Sequence, residues 1–559
     1  MTTGRFARDL AGMAAVTHDL LIVGGGITGA AIARDAALRG LKVALVDKGD
    51  FSSGTSASSS KLVHGGLRYL RNLELGLVRE SLAERRIWQH IAPHMVRPLP
   101  FLLPTEAGNR TRLELGLTLY DWLAFDRGRG LPREEIPARH RFIDWAEAQR
   151  LEPVLSGAGG TGAFLYGDCQ MYSPERLGLE CLLDAAAHGA HVANYAEADR
   201  LIQEDDDNVR RVCGARIVDR FDWRYYDVRA RLTVNACGPW ADGLLEDLIG
   251  DASDRLIRSK GIHIVTRPLA RAHALTLQVP GALGGGHVFV LPWNGHSLIG
   301  TTDTSFEGDP GEVRATAADV AALIRTVNGV LPGVHLRAED VLFAYAGLRP
   351  LVSGAEGNDN TYDASRRSEI VDHEGRDGIA GLVSALGGKW TTSRHLAEDA
   401  VDLVLKKLER PRRPCRTAER PLPGAPPAGW RRFRPAARAQ HPDLAEETLD
   451  HLTRTYGARF EQVLMLAKAR RELYAPLCPE RPEIGAEIVF AVRTEMARRM
   501  GDVIFRRTGL GGIGHPGGDC LRSVAGLMAR ELHWTGERQE AELAETERRF
   551  NVWREESPS

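Results

Sequence analysis

Residues 19–47, DLLIVGGGITGAAIARDAALRGLKVALVD, hold the pattern that decides the fold: a short apolar strand, a glycine turn, an alanine-rich helix, a second strand and a terminal acid. Leu20, Leu21, Ile22 and Val23 form an apolar run of the length of a buried parallel strand. Gly24, Gly26 and Gly29 then spell GxGxxG at the opening of the helix. Gly24 permits the tight turn, Gly26 lets backbone approach a pyrophosphate, and Gly29 lets helix and strand pack closely. The helix N-terminus supplies unpaired N–H groups and the positive end of its dipole. Asp47 closes the second strand 18 residues after Gly29, where a carboxylate accepts hydrogen bonds from ribose hydroxyls. Strand, helix and acid together predict a bound dinucleotide.

Working outward, 559 residues exceed a single compact core, so two or three domains are expected. The composition is that of an ordinary globular protein, 43% hydrophobic and 26% charged with a formal net charge of −2, which gives no reason to expect a nucleic-acid partner. Seven scattered cysteines form no CxxC and no metal-ligand spacing; they are expected to be idle or buried thiols in a reducing compartment, with no metal site. No signal-peptide core stands near the N-terminus and no apolar run approaches membrane-spanning length. The expected location is therefore the cytoplasm, with peripheral contact at the inner face of the cell membrane left open.

After Asp47 the segment GDFSSGTSASSSKLVHGGLRYL is too rich in serine and glycine for a core element. Running off a ribose-binding strand, it brings Ser59 and Ser60 as hydroxyl partners and Gly65 and Gly66 as backbone able to lie against a planar ring, followed by Arg68 and Tyr69. Farther on, Val228, Ala230, Leu232 and Val234 alternate as in a strand before a Gly-Pro stop at Gly238. The apolar residues 379–383 lead into GGKWTT, aiming Gly387, Gly388 and a helix N-terminus at the cofactor; Thr391 or Thr392 is the expected helix cap. GHVFVLPWNGHSLIGTTD reads as two strands about Asn294–Gly295, a dipeptide suited to a type I′ hairpin.

The blocks SSSKLVHGGLRYL, RLTVNACGPWAD (231–242), SLIGTTDTSFEGDP (297–310), YAGLRPL (345–351) and SALGGKWTTSRHLAE (384–398), following GGGITGAAIARDAALRG, resemble in order and spacing the FAD-dependent glycerol-3-phosphate dehydrogenases of the glutathione reductase-like superfamily. The resemblance runs from about residue 18 to 405 and implies an α/β fold: a Rossmann-like FAD-binding domain (18–100, 160–260 and 345–405), an inserted mixed β-sheet substrate domain (101–159 and 261–344), a basic proline-rich linker (406–440) and a C-terminal helical domain (441–559). FAD is the implied cofactor, with contacts at Gly24, Gly26, Gly29, Asp47, Ser59, Ser60, His64, Gly65, Gly238, Gly388, Lys389 and Thr391. The implied substrate is sn-glycerol 3-phosphate, with contacts at Arg68, Tyr69, Thr301, Arg349, Arg366 (Arg367 being the adjacent alternative) and Lys389. Arginine suits a phosphate because its planar fork offers several donors.

The implied reaction is hydride transfer from C2 of the substrate to N5 of the flavin, giving dihydroxyacetone phosphate. His64 is the chemically natural proton acceptor, with hydrogen bonding to the flavin as its other role; Arg349 and Lys389 stabilise a developing alkoxide. Electrons then pass to a quinone, or to dioxygen in related oxidases; an amino-acid oxidase or a flavin-bearing sensor of the same fold are the further alternatives. Residues 406–438 carry eleven Lys/Arg against Glu409 and Glu419, beside PLPGAPP, Trp430 and Phe433. Such a stretch suits an anionic bilayer, but its prolines favour a solvated interdomain linker. Beyond it, helical spacing predicts a small domain supporting a homodimer, with Asp443 capping a helix that Gly457 ends, and RTGLGG as a helix-terminating turn.

Overall fold

The computed structural model describes residues 6–206, 209–249, 256–279, 286–352 and 368–554. Two mixed sheets face each other, and the first is organised by the opening motif. Its strands run in the order Ser368–Asp372, Leu382–Gly387, Tyr225–Asn235, His18–Val23, Val43–Val46, His191–Ala193. All neighbours in that row pair in parallel except the antiparallel edge strand Ser368–Asp372. His18–Val23 is buried along its whole length, as a strand covered on both faces must be. Helix Ile27–Leu38 packs on one face against helices Pro174–Ala187 and Ser393–Lys407. The turn behaves as read: Gly24 has φ +109°, and a Cβ on Gly29 would run into the Gly24 carbonyl oxygen.

The second sheet is ordered Thr304–Ser305, Leu256–Thr266, His296–Gly300, His287–Trp293, Ala274–Gln278, Val96–Thr105, Gly162–Met171, Leu62–Val63, with Val341–Val352 pairing along Leu256–Thr266. Asn294 and Gly295 both take positive φ, 48° and 74°, as a type I′ hairpin requires. The chain crosses between sheets more often than the blocks suggested. Gly162–Met171, Leu62–Val63 and the start of Leu256–Thr266 belong to this second sheet rather than to the nucleotide-binding one. The reason is pairing: Val96–Thr105 and Gly162–Met171 zip together over their full lengths, which sequence separation conceals.

The basic segment is also no solvated linker. Arg34 donates to the carbonyls of Thr417 and Arg420, Arg413 donates to Arg39 O, and Leu422 and Thr417 are buried. Its cations pair across the surface, Arg410 with Asp19, Arg412 with Asp402 and Arg431 with Glu134. Pro435 is accommodated inside helix Trp430–Gln440. The C-terminal helices enclose a core of their own, including Leu449, Leu452, Phe460, Val489 and Leu521. Gly457 ends helix Glu446–Tyr456, but Ala445 rather than Asp443 occupies its N-cap. Helix Gly485–Thr494 does not run on into Met500–Asp502, because Arg498 N and Arg499 N donate to the Asp502 carboxylate and close a new cap there. Cys478 and Cys520 form a disulfide with Cα atoms 5.4 Å apart, which corrects the reading of all seven as thiols; their sequence separation of 42 hides the pairing from any spacing rule.

Charged groups with almost no solvent contact join this unit to the nucleotide-binding domain. Asp50, three residues past Asp47, accepts from Arg506 and Arg507 at 2.6–2.8 Å, and Arg176 forks onto Glu495 at 2.6 and 2.9 Å. Burial opposes the charge on Asp50, but Arg507 and Arg506 outweigh it and hold the carboxyl far below the usual carboxylate range.

Candidate active site

Between the sheets lies a cleft of ≈ 2310 Å³, more than twice the upper end of drug-sized pockets at about 1,000 Å³ and so large enough for a dinucleotide with a substrate beside it. Gly24, Gly26, Asp47, His64, Gly238, Thr301, Arg349 and Lys389 all line it. At one end the wall is backbone. A Cβ on Gly24 would sit 2.5 Å from Ala236 O, and Gly238 (φ +57°) has open space where its Cβ would be. The Asp47 carboxylate already accepts from Gly25 N at 2.6 Å and Gly49 N at 2.8 Å, leaving its remaining lone pairs for a ligand. Desolvation raises its pKa to about 6, and those two N–H groups hold it from rising further. The dinucleotide end therefore fits the group that the motif implies.

The serine-rich loop lines the cleft through Ser58, Ser59 and Ser60 and is itself fastened to the protein. Ser56 Oγ accepts from Ile27 N at 2.9 Å and caps the helix, while Thr55 donates to Leu348 O. Ser59 O accepts from the Tyr345 hydroxyl at 2.7 Å, and Ser60 Oγ lies 2.9 Å from His263 Nε2. These bonds tie the loop to the second sheet. Thr391 Oγ1 likewise accepts from His64 N at 3.3 Å, and Thr392, which occupies the N-cap, makes no side-chain cap bond.

The opposite end is cationic and made of side chains. Arg68 and Lys389 flank the Tyr69 ring, their charged heads 4.8 and 4.5 Å from its centroid. Lys389 Nζ is out of contact with solvent and makes no hydrogen bond; desolvation leads in lowering its pKa, against Tyr69 and Glu80. Arg349 is held by Thr301 Oγ1 at 2.5 Å, Ser259 Oγ at 3.0 Å and Asp303 at 3.6 Å. Thr301 and Arg349 thus meet, although 48 residues apart. Arg366 and Arg367 lie outside the described residues.

Two neutral imidazoles stand in the cleft. Desolvation pushes His64 down to about 4; Asp168 opposes this, and Lys389, Arg68 and Arg85 add to it. His263, which no motif marked, is stacked on Tyr345 and pushed down to about 3 by desolvation and then by Arg349 and Lys61; its Nδ1 has no partner. Its only sequence signal was its place on an apolar alternating strand, which normally denotes core. Among the described residues no group of three His, Cys, Asp or Glu side chains is placed to hold a metal ion.

A glycine cradle on a parallel sheet, at one end of a cleft whose other end presents arginine, lysine and neutral imidazole, defines a dinucleotide-dependent oxidoreductase acting on an anionic substrate. Comparisons with known proteins agree. The model of the FAD dependent oxidoreductase family matches residues 19–394, and that of the C-terminal domain of alpha-glycerophosphate oxidase matches residues 415–539. Glycerol-3-phosphate dehydrogenase of Synechocystis sp. is 36% identical over 94% of this chain and 95% of its own. The aerobic glycerol-3-phosphate dehydrogenase of Staphylococcus aureus is 33% identical, covering 88% and 86%. The crystal structure of the Bacillus halodurans glycerol-3-phosphate dehydrogenase complexed with FAD superposes with a TM-score of 0.76 at 29% identity, covering 97% of this chain and 96% of that one. The chain belongs to the FAD-dependent oxidoreductases, in their glycerol-3-phosphate dehydrogenase family.

Proposed function

We propose that this chain oxidises sn-glycerol 3-phosphate to dihydroxyacetone phosphate. The observation that carries the reading is the cationic end of the cleft, where Arg68 and Lys389 bracket Tyr69 while Arg349 is fixed by Thr301 and Ser259. Bound FAD supplies the two-electron acceptor. Gly24, Gly26, Gly29, Asp47, Gly65, Gly238 and Gly388 hold it, Ser59 and Ser60 shape its loop, and Thr391 acts through the His64 backbone. Arg68, Arg349 and Arg366 take the phosphate, and Tyr69 and Thr301 orient the glycerol. His64, neutral at pH 7, accepts the C2 hydroxyl proton, while Lys389 and Arg349 stabilise the oxygen as its charge develops. The second neutral imidazole, His263, is the rival acceptor, and His64→Ala against His263→Ala separates them. Anaerobic addition of sn-glycerol 3-phosphate to the yellow holoenzyme is the test: absorbance near 450 nm, about where oxidised flavin absorbs, is expected to bleach. Unchanged absorbance in FAD-replete protein rejects the substrate and favours an amino-acid oxidase or a sensor.

For the acceptor we favour a quinone met at a membrane surface over dioxygen. Among the described residues no helix is long and apolar enough to cross a membrane. Helix Arg110–Leu123 buries Leu117, Tyr120 and Leu123 but leaves Leu115 and Trp122 about 70% exposed, with Leu73 and Phe125 equally bare nearby. A cluster of this kind is more than scattered surface apolarity. Arg71, Arg110, Arg112 and Arg129 are exposed around it, complementary to anionic lipid, and the cleft reaches the surface there between Arg71, Arg112 and Gly116. Sedimentation with anionic vesicles tests this: co-pelleting supports it, and no binding points to a soluble acceptor such as dioxygen.

A further inference from the structure

Asp168 lies outside every motif of the sequence, yet it is a buried anion in the wall of the cleft. It sits on strand Gly162–Met171 with 2% exposure. Its Oδ1 accepts from Arg85 Nη1 at 2.7 Å and from Gly65 N at 3.3 Å, and its Oδ2 accepts from the Tyr120 hydroxyl at 2.6 Å. Arg85 and Tyr120 are themselves buried. The adjoining backbone is held from the other direction by the bond from His64 N to Thr391 Oγ1. Gly65 has no room for a side chain: a Cβ would press on the Tyr120 hydroxyl and lie 2.6 Å from Leu82 Cδ2. Gly66 follows in the left-handed region at φ +73°.

Burying a carboxylate with a guanidinium costs several kcal/mol before the pair forms, and a well-packed apolar trio of the same volume is often as stable. The charge therefore asks for a role in the cleft itself. We propose that Asp168 is a positioning residue: with Arg85 and Tyr120 it fixes the His64–Gly66 backbone against the flavin site, and its negative charge balances the proton that His64 receives among Arg68, Arg85 and Lys389. Consistent with this, it is the group that most strongly opposes the effect of burial on His64.

The charge-balancing part rests on His64 being the proton acceptor; the backbone-fixing part does not. Asp168→Asn keeps the shape and removes the charge. In the FAD-loaded variant kcat is expected to fall about 10²-fold with KM changed less than about threefold, the signature of a misplaced reacting geometry. The acidic limb of the kcat profile moves to lower pH, because loss of an anion disfavours the protonated imidazole. Should Asp168→Asn not fold, Tyr120→Phe keeps the Asp168–Arg85 pair, and about a fivefold loss in kcat is expected from one missing hydrogen bond. A folded, FAD-loaded Asp168→Asn enzyme with wild-type kcat and pH profile overturns the proposal, as does Tyr120→Phe with wild-type kcat where only that variant folds. A His64→Ala enzyme that retains the acidic limb rejects the His64 assignment instead, and Asp168 is then judged on kcat alone.

Discussion

The two ends of the cleft are built by opposite means. The dinucleotide end is organised by one contiguous stretch, residues 19–47, closed by the turn at 236–238, and presents mainly backbone: Gly24 against Ala236 O, the helix N-terminus at Ile27, and Asp47 tied to Gly25 and Gly49. The substrate end comes from side chains of five distant segments, with Arg68 and Tyr69, Ser259 and His263, Thr301, Arg349, and Lys389 brought together by pairing in the second sheet and by the turn after Leu382–Gly387. Backbone sites are specified by where a side chain cannot fit. Side-chain sites are specified by charge, and charge carries no marker in sequence of where it will meet its partner.

That contrast predicts different failures. Gly24→Val forces a branched side chain onto φ +109° and against Ala236 O, so the purified protein is expected to be colourless, read as loss of absorbance near 450 nm, about where flavin absorbs. A yellow Gly24→Val enzyme breaks the comparison. At the other end, His64→Ala is expected to keep its FAD while kcat falls about 10²- to 10⁴-fold, measured by stopped-flow bleaching. Arg349→Met removes charge-assisted hydrogen bonds of about 1.5–3 kcal/mol, so kcat/KM falls by about 10- to 150-fold, again with FAD retained.

Stability sharpens the comparison further. Asp50→Ala strands Arg506 and Arg507 without their carboxylate, and about 3–5 kcal/mol of stability is expected to be lost in chemical denaturation, mostly as early release of the C-terminal helices. The smallest effect concerns pH. His64 titrates at about 4 in the folded protein against 6.5 in an unfolded chain, so the unfolded state binds more protons between those values and stability rises with pH across that window. Tm is expected to climb from pH 4 to 6.5, and less steeply in His64→Ala.

Much of this was legible before any coordinates. Residues 19–47 predicted strand, turn, helix and acid because steric limits act locally, and Asn294–Gly295 predicted its hairpin for the same reason. The basic stretch 406–438 shows the limit. Its composition suggested a solvated linker or a bilayer contact, but Arg34 and Asp19 reach it from more than 370 residues away and dock it onto the nucleotide-binding domain. The exposed apolar face arose instead on helix Arg110–Leu123, where only packing decides which side of an amphipathic helix is covered.

By itself, the sequence determined that this chain cradles a dinucleotide on a parallel sheet, because glycine turns and short apolar strands are read from residues a few positions apart. Its block order placed Arg68, Arg349 and Lys389 in a family. Only the tertiary structure decided that His263 and Asp168 share the cleft with them, that the serine loop is fastened to the opening helix and the second sheet, and that Cys478 meets Cys520. Those are contacts across strands and domains, set by sheet register and buried charge pairing, and no local pattern encodes them.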